Sequence, residues 1–496
     1  MGNNNSRSTT SDVSNDTNDH PSNNSSDYLS VQQKGFPRSP SGAEIGEKSL
    51  TQFVPIEKLS QILKEKTREI YGINGINSDT FVIYVFPRYA DLGHRLFKLF
   101  HDNSRAQTEH LGEIAFRQQC ERFLGVIDDS KIIENYLKMY ADADRSDMVT
   151  KDDLSQFLLT CFKVAMSHYT GASKICPFAD RTIDSVLKAI FFSQDTLSIG
   201  FIARYMEQNC TRLILLVHKY VIHTLSTCYR GLEQSETSYG VELSTPVLEK
   251  GPAFDNNVPA ENSLMPLSQA WLLAGTLPPI YSKPQAVTTG SPTGNNPPKC
   301  AMQTFKDKFS LIPSHWTLLY DSNQHGVGAN RFLHHVLGYR GPTLILIHTQ
   351  DDQAYCIASP SEWKETHLYT GGEDSCIIQL LPKFVIIEKK PNILCLNTSM
   401  RGYPKGLRAG SDPRKPVIAI DEHFEKVDCK GIPAILSSIE VWGCGDKVSR
   451  EVQLDIKKWQ IKEAERQRTV KLTAADWMEN PDRYLLELGG RPNYNN

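Results

Sequence analysis

The chain has 496 residues, a formal net charge of -3 and 22% charged residues. That length supports two or three domains with their own cores, and the near-neutral balance excludes a general nucleic-acid binder, which needs a basic field. The eleven cysteines lack CxxC pairs, which fits a reduced compartment and excludes a disulfide framework or a structural zinc site. No apolar run approaches the ~18 residues of a membrane span, and no secretory segment opens the chain.

Met1 to Ser6 reads Met-Gly-Asn-Asn-Asn-Ser and matches the signature for N-myristoylation at Gly2. One acyl chain gives only marginal, reversible membrane binding. The bases within residues 1–50 are Arg7, Lys34, Arg38 and Lys48, against six carboxylates, and no cysteine is near. Neither a polybasic patch nor palmitoylation can supply the second contact, so a protein partner is expected to do so. Residues 1–50 are rich in Ser, Asn and Asp with few aliphatics, the composition of a disordered tail.

Residues 51–235 carry helical spacing, as in Ile56, Leu59, Ile62 and Leu63, and again in Phe157, Leu158, Cys161 and Phe162. Within them, Asp142, Asp144, Ser146 and Asp153 sit at positions one, three, five and twelve of an EF-hand-like calcium loop. Asp147 replaces the turn glycine, and Asp153 is one methylene shorter than the usual bidentate glutamate. A structural hand without tight calcium binding is therefore expected. The candidate pairing segment, Asp195 to Ile199, lacks spaced acids.

Residues 236–262 read as a linker, and Pro278 to Lys299 as a loop after a short apolar segment. The period then becomes two. Strands are expected at 315–320, 342–348, 354–358, 376–381, 384–388, 392–396, 417–420 and 435–441, closely spaced and hence antiparallel. Gly326 and Gly328 precede Arg331 where a dinucleotide loop would need a third glycine, so a tight turn capped by Asn330 is expected instead. His334 and His335 are placed on opposite sides of a short helix, and Cys444 in a glycine turn with no adjacent base to activate it.

Lys447 to Lys471 contains no Pro or Gly and carries eight bases against four acids, enough for a helix of roughly 35 Å. Val448, Val452, Ile456 and Trp459 form a narrow apolar seam suited to a partner's groove, or to packing on the chain's own domain. Thr473 to Asp476 resembles a capping box. Asn480-Pro481 opens a last helix that Gly489 ends.

Trp271-Leu-Leu, Leu277-Pro-Pro, Trp316 to Ser322, His325-Gly326, Gly341 to Ile345, Tyr369 to Glu373 and Ile439 to Gly443 together resemble the TLDc domain over residues 263–445. The resemblance implies a β-sandwich flanked by short helices, with no established active site. It also implies the family's links to oxidative-stress resistance and to the vacuolar proton pump. The segment Lys405 to Pro413 is shorter and more charged than the family's glycine-rich stretch.

The order of tail, helical region, TLDc domain and C-terminal helices is similar to that of the lysosome-anchored, mTOR-associated branch of the family. The expected protein is an α+β multidomain chain, divided at 1–50, 51–235, 236–262, 263–445 and 446–496. It is expected to be a non-catalytic adaptor on the cytoplasmic face of the lysosomal membrane, with a cytosolic pool, no required cofactor and no nucleic-acid partner. It would bind the proton pump and support mTOR signalling. The alternatives are an oxidative-stress-protective protein or enzyme, and a calcium-responsive switch.

Overall fold

A computed structural model describes residues 42–141, 147–166, 178–234, 265–282 and 316–468. Residues 1–52 separate as a unit of their own, of which only the helical backbone from Gly42 is described. Among the described residues nine helices come first: α1 (Gly42–Tyr71), α2 (Ser78–Val85), α3 (Ala90–Ser104), α4 (Glu113–Leu124), α5 (Asp129–Tyr140), α6 (Lys151–Ala165), α7 (Ala179–Phe191), α8 (Ile199–Asn209) and α9 (Thr211–Gln234).

The first eight helices repeat one unit four times. In each, an apolar residue makes a short antiparallel bridge, and the next residue is the N-cap of the following helix. Ile76 and Leu111 exchange both backbone bonds, at 2.8 and 2.9 Å, just before the caps Asn77 and Gly112. Val149 of β1 (Met148–Thr150) pairs with Leu197 of β2 (Thr196–Ser198), just before the caps Thr150 and Ser198. Three of these caps accept the backbone N–H three residues on, from Thr80, Asp153 and Phe201, which satisfies a donor that helix geometry leaves open. The segment around Asp195 thus pairs despite lacking acids, because the bridge needs only backbone groups and an apolar residue.

α10 (Leu267–Thr276) packs on α9, α7 and α6, with Trp271 edge-on to Phe162 at 5.5 Å and Ser268 hydroxyl 2.8 Å from that of Thr182. α11 (Pro279–Ser282) follows, and the Tyr281 carbonyl accepts the Trp316 indole N–H at 2.7 Å. Then come β3 (Thr317–Asp321), α12 (Ser322–His325), α13 (Ala329–Val336), β4 (Thr343–Thr349), β5 (Ala354–Ser359), β6 (Thr366–Thr370), β7 (Cys376–Leu381), β8 (Val385–Lys389), β9 (Leu394–Asn397), β10 (Gly406–Ala409), β11 (Ile418–Ile420), β12 (Lys426–Cys429), β13 (Ile432–Gly443) and α14 (Lys447–Arg468).

The hydrogen-bonded path runs β6-β9-β10-β11-β12-β13-β4-β5-β7-β8, with β3 also on β13, and every pairing is antiparallel. β13 belongs to both layers. Its first residues pair with β12, and its last with β4 and β3 across two register shifts. In the layer β3-β13-β4-β5-β7-β8, the central strands β4, β5 and β7 and the second half of β13 are buried on both faces. Ile345, Ile347, Tyr355, Ile357, Ile377 and Val441 point into the sandwich, where Leu394, Leu407, Ile418 and Val427 meet them. Their neighbours Leu344, Leu346, Cys356, Ala358, Ile378 and Trp442 point the other way, into one core with the helices. The period of two explains both facts, and it makes β4 and β5 near-continuous apolar runs.

The helical region and the sheet region therefore share a core. Phe384 N–H donates to the Ser185 carbonyl at 3.0 Å, and Arg181 reaches Asp352 at 2.5 Å across the same junction. No helix of the described residues is long and apolar enough to cross a membrane.

Candidate functional site

Of the expected calcium ligands, Asp142, Asp144 and Ser146 lie outside the described residues. Asp147 takes the left-handed conformation (φ 62°) at the place where the loop wants glycine, and its carbonyl accepts Ile199 N–H at 3.0 Å. Asp and Asn tolerate that region better than most side chains, so the turn is made without glycine. Asp153 forms a capping box: one carboxylate oxygen accepts Thr150 N–H at 3.0 Å while its own N–H donates to the Thr150 hydroxyl at 3.1 Å. In the partner unit the equivalent position is Phe201, half exposed at 48% and without a ligand oxygen. Among the described residues no three His, Cys, Asp or Glu side chains converge as a metal group.

Gly2 and the segments Thr473 to Asp476 and Asn480 to Gly489 also lie outside the described residues. Nine cysteines are described; all are free and buried. Burial pushes the thiols of Cys120, Cys356 and Cys444 well up. Cys444 lies in the core shared with the helices, its N–H donating to the Pro342 carbonyl at 2.7 Å.

The glycine pair ahead of α13 makes the expected turn, with φ of 81° at Gly326 and 142° at Gly328. Asn330 does not cap it: Gly328 holds the cap position with no side-chain bond, and Asn330 is exposed one residue inside the helix. Arg331 folds back to donate to the His325 carbonyl at 2.7 Å. His334 and His335 are not on opposite sides either. Neighbours on a helix are about 100° apart, and their ring centroids lie 5.1 Å from each other. His335 also stacks on His325 at 3.9 Å.

At the chain's other end, β13 passes into α14 through Gly443 and Gly445, which cradle Tyr339. A Cβ on Gly443 would sit 2.6 Å from the Tyr339 ring, and the Tyr339 hydroxyl accepts Gly445 N–H at 2.7 Å. Asp446 then caps α14 by accepting from Ser449 N–H and hydroxyl at 2.9 and 2.8 Å. Two turns on, Gln453 is fully buried. Its amide donates to the carbonyls of His335, Val336 and Leu337 at 2.9, 3.4 and 3.1 Å, and its oxygen accepts from Arg450. It thereby satisfies the carbonyls that α13 leaves open at its C-terminus.

The seat is one face of α14: Ser449, Arg450, Gln453 and Lys457. The apolar seam lies roughly 100° round the helix from Gln453. Ile456, at the border of the two faces, and Val452 are half-buried, whereas Val448 and Trp459 stand exposed at 52% and 65%. Seating α14 on its own domain therefore leaves half of the seam, Val448 and Trp459, unused. Leu454 and Ile461, at 40% and 54%, are exposed on a further face. Neither the polar seat nor the histidine cluster is announced by apolar periodicity; the one sequence signal is a short uncharged amide within a strongly charged helix.

Among curated proteins no relative matches the chain. Residues 301–445, the span from just before β3 to the end of β13, match the family model of the TLDc domain. The chain carries a TLDc domain at residues 301–445.

Proposed function

We propose that this protein is a non-catalytic adaptor that engages the vacuolar proton pump through α14 and supports mTOR signalling from the cytoplasmic face of the lysosomal membrane. The observation that carries the proposal is the split use of α14. One face is fixed on the domain by Gln453, while Val448 and Trp459 on the adjoining face project outward. A rigidly presented, partly apolar helix face ending in tryptophan is suited to a complementary groove. We read the four bridged helical units as an EF-hand-like array kept for its packing, because Asp153 is committed to its cap and Phe201 offers no oxygen. Gly2 myristate would supply the reversible membrane term and the pump the second contact.

TLDc proteins are linked to oxidative-stress resistance, which is the second reading. A thiol mechanism would require a cysteine whose thiolate is accessible, and the described cysteines are buried with their thiols disfavoured from ionising. Affinity purification from detergent-solubilised lysosomes, comparing the full chain with one lacking residues 446–496, tests the adaptor reading. Loss of pump subunits on truncation is the expected result. Full recovery without those residues would move the interface to the sandwich. Gly2→Ala is expected to shift the protein from lysosomes to the cytosol; unchanged lysosomal retention would show that protein contact alone suffices.

A further inference from the structure

Five basic side chains from three elements meet where α14 crosses the end of α13. His325 comes from α12, His334 and His335 from α13, and Arg450 and Lys457 from the seat face of α14. His325 and His335 stack at 3.9 Å, His334 lies 5.1 Å from His335, and the Tyr320 ring closes the back at 5.9 and 6.0 Å. Arg450 and Lys457 lie on either side of Gln453, which touches the His335 carbonyl, so α14 brings both over the histidines. Lys457 is half-buried, and it has no hydrogen bond or ion pair to any described residue. Arg450 spends one donor on Gln453. His325 accepts Asp321 N–H at Nδ1, at 3.0 Å, which puts its proton on Nε2 as a further donor.

Complementing the α13 C-terminus does not account for this cluster, because Gln453 already takes those carbonyls. A partly desolvated cation without an acceptor is costly, and the remedy is an anion with several acceptor oxygens. We infer that the α13–α14 crossing is a binding site for a phosphate-type dianion, held by Arg450, Lys457 and the histidines, which clamps the first half of α14 to its domain. Burial, then His325, Lys457, His334 and Arg450, hold the His335 pKa down to about 4; burial, then Arg450, lower Lys457 to about 8. A bound dianion would reverse both effects; at about pH 8, where phosphate is already a dianion and Lys457 is about half protonated, binding takes up protons and weakens as pH rises further.

The free dianion and a phosphorylated lipid headgroup share this chemistry, and the test separates them. Calorimetry on the full chain with inorganic phosphate at pH 8, where the ligand is already a dianion, in two buffers of different ionisation enthalpy, is run beside flotation with vesicles containing a phosphoinositide. The expected result is saturable binding accompanied by proton uptake, weakened at least tenfold by Lys457→Met and retained by Lys457→Arg, with melting temperature unchanged in both. Binding to inorganic phosphate as well as to vesicles identifies a free-dianion site, and binding to vesicles alone identifies the headgroup. Either outcome supports the inference if Lys457→Met removes it. Absence of both, or binding indifferent to Lys457→Met, overturns it.

Discussion

Replacing Gln453 by leucine removes the seat of α14 at nearly constant volume. The amide of Gln453 serves three carbonyls, two of them at 2.9 and 3.1 Å, and its oxygen engages Arg450. Two net hydrogen bonds of about 1 kcal/mol each give a loss of roughly 2 kcal/mol, before any cost of leaving carbonyls unmet. That corresponds to a roughly 30-fold larger open population of α14. Because the hydrogen bonds of Gln453 reach only the α13 end and Arg450 of its own helix, global stability should barely move. Hydrogen exchange read by mass spectrometry on peptides covering 447–460 is the assay: protection there should fall about 30-fold while β4, β5 and β13 keep theirs. If those peptides exchange as in the parent and the melting temperature falls several degrees instead, Gln453 is part of the global fold and α14 is not an independently seated element.

Trp459→Ala should weaken pump association at least ~30-fold, by the cost of truncating an interface tryptophan, with no change in melting temperature because the side chain is 65% exposed. Acid should destabilise the fold through His218, which is buried between Tyr136 and Phe123 and held down to about 4 by burial and then Lys219. Above the ordinary histidine value both states are neutral. As pH falls from about 6.5 towards 4 only the unfolded chain protonates, so about 2 kcal/mol is lost by pH 5. Chemical denaturation at pH 7 and 5 should show that difference and proton uptake on unfolding, and equal midpoints would contradict it. Calcium titrated calorimetrically into the full chain should bind more weakly than the sensor range of about 10⁻⁷–10⁻⁵ M; a micromolar isotherm abolished by Asp142→Ala would reverse that reading.

The sandwich was legible in the sequence wherever a strand carried a run of apolar residues, as in β4, β5 and β7 and even in the short β9 and β11. β6, β10 and β12 were not: no residue of β6 is fully buried, and β10 and β12 each turn only two side chains inward, Leu407 and Ala409 around Arg408 and Val427 and Cys429 around Asp428. The four-fold helical repeat was equally hidden. Backbone caps and one apolar bridge preserve it, while calcium-type side chains survive in a single unit, so nothing at fixed spacing marks the others. In the C-terminal helix the apolar seam was visible as a pattern of 448, 452, 456 and 459. Its seat was not, because a polar residue buried against carbonyls has no periodic signature; Gln453 is explained only once α13 is seen to end beneath it. His325 joined His335 through a turn whose two glycines could be read, but whose direction could not.

Because β13 lies between β12, β3 and β4 and is joined to α14 by only Cys444, Gly445 and Asp446, tension applied to the outer half of that helix enters the domain along a strand. The load meets the α14 seat first, where Gln453 can be peeled away bond by bond. Only then does it reach Gly443, where β13 is held by two ladders at once and must be sheared along its length. A partner that moved would thus unseat the helix while leaving the sandwich whole, so this junction would act as a mechanical fuse for whatever pulls on the helix.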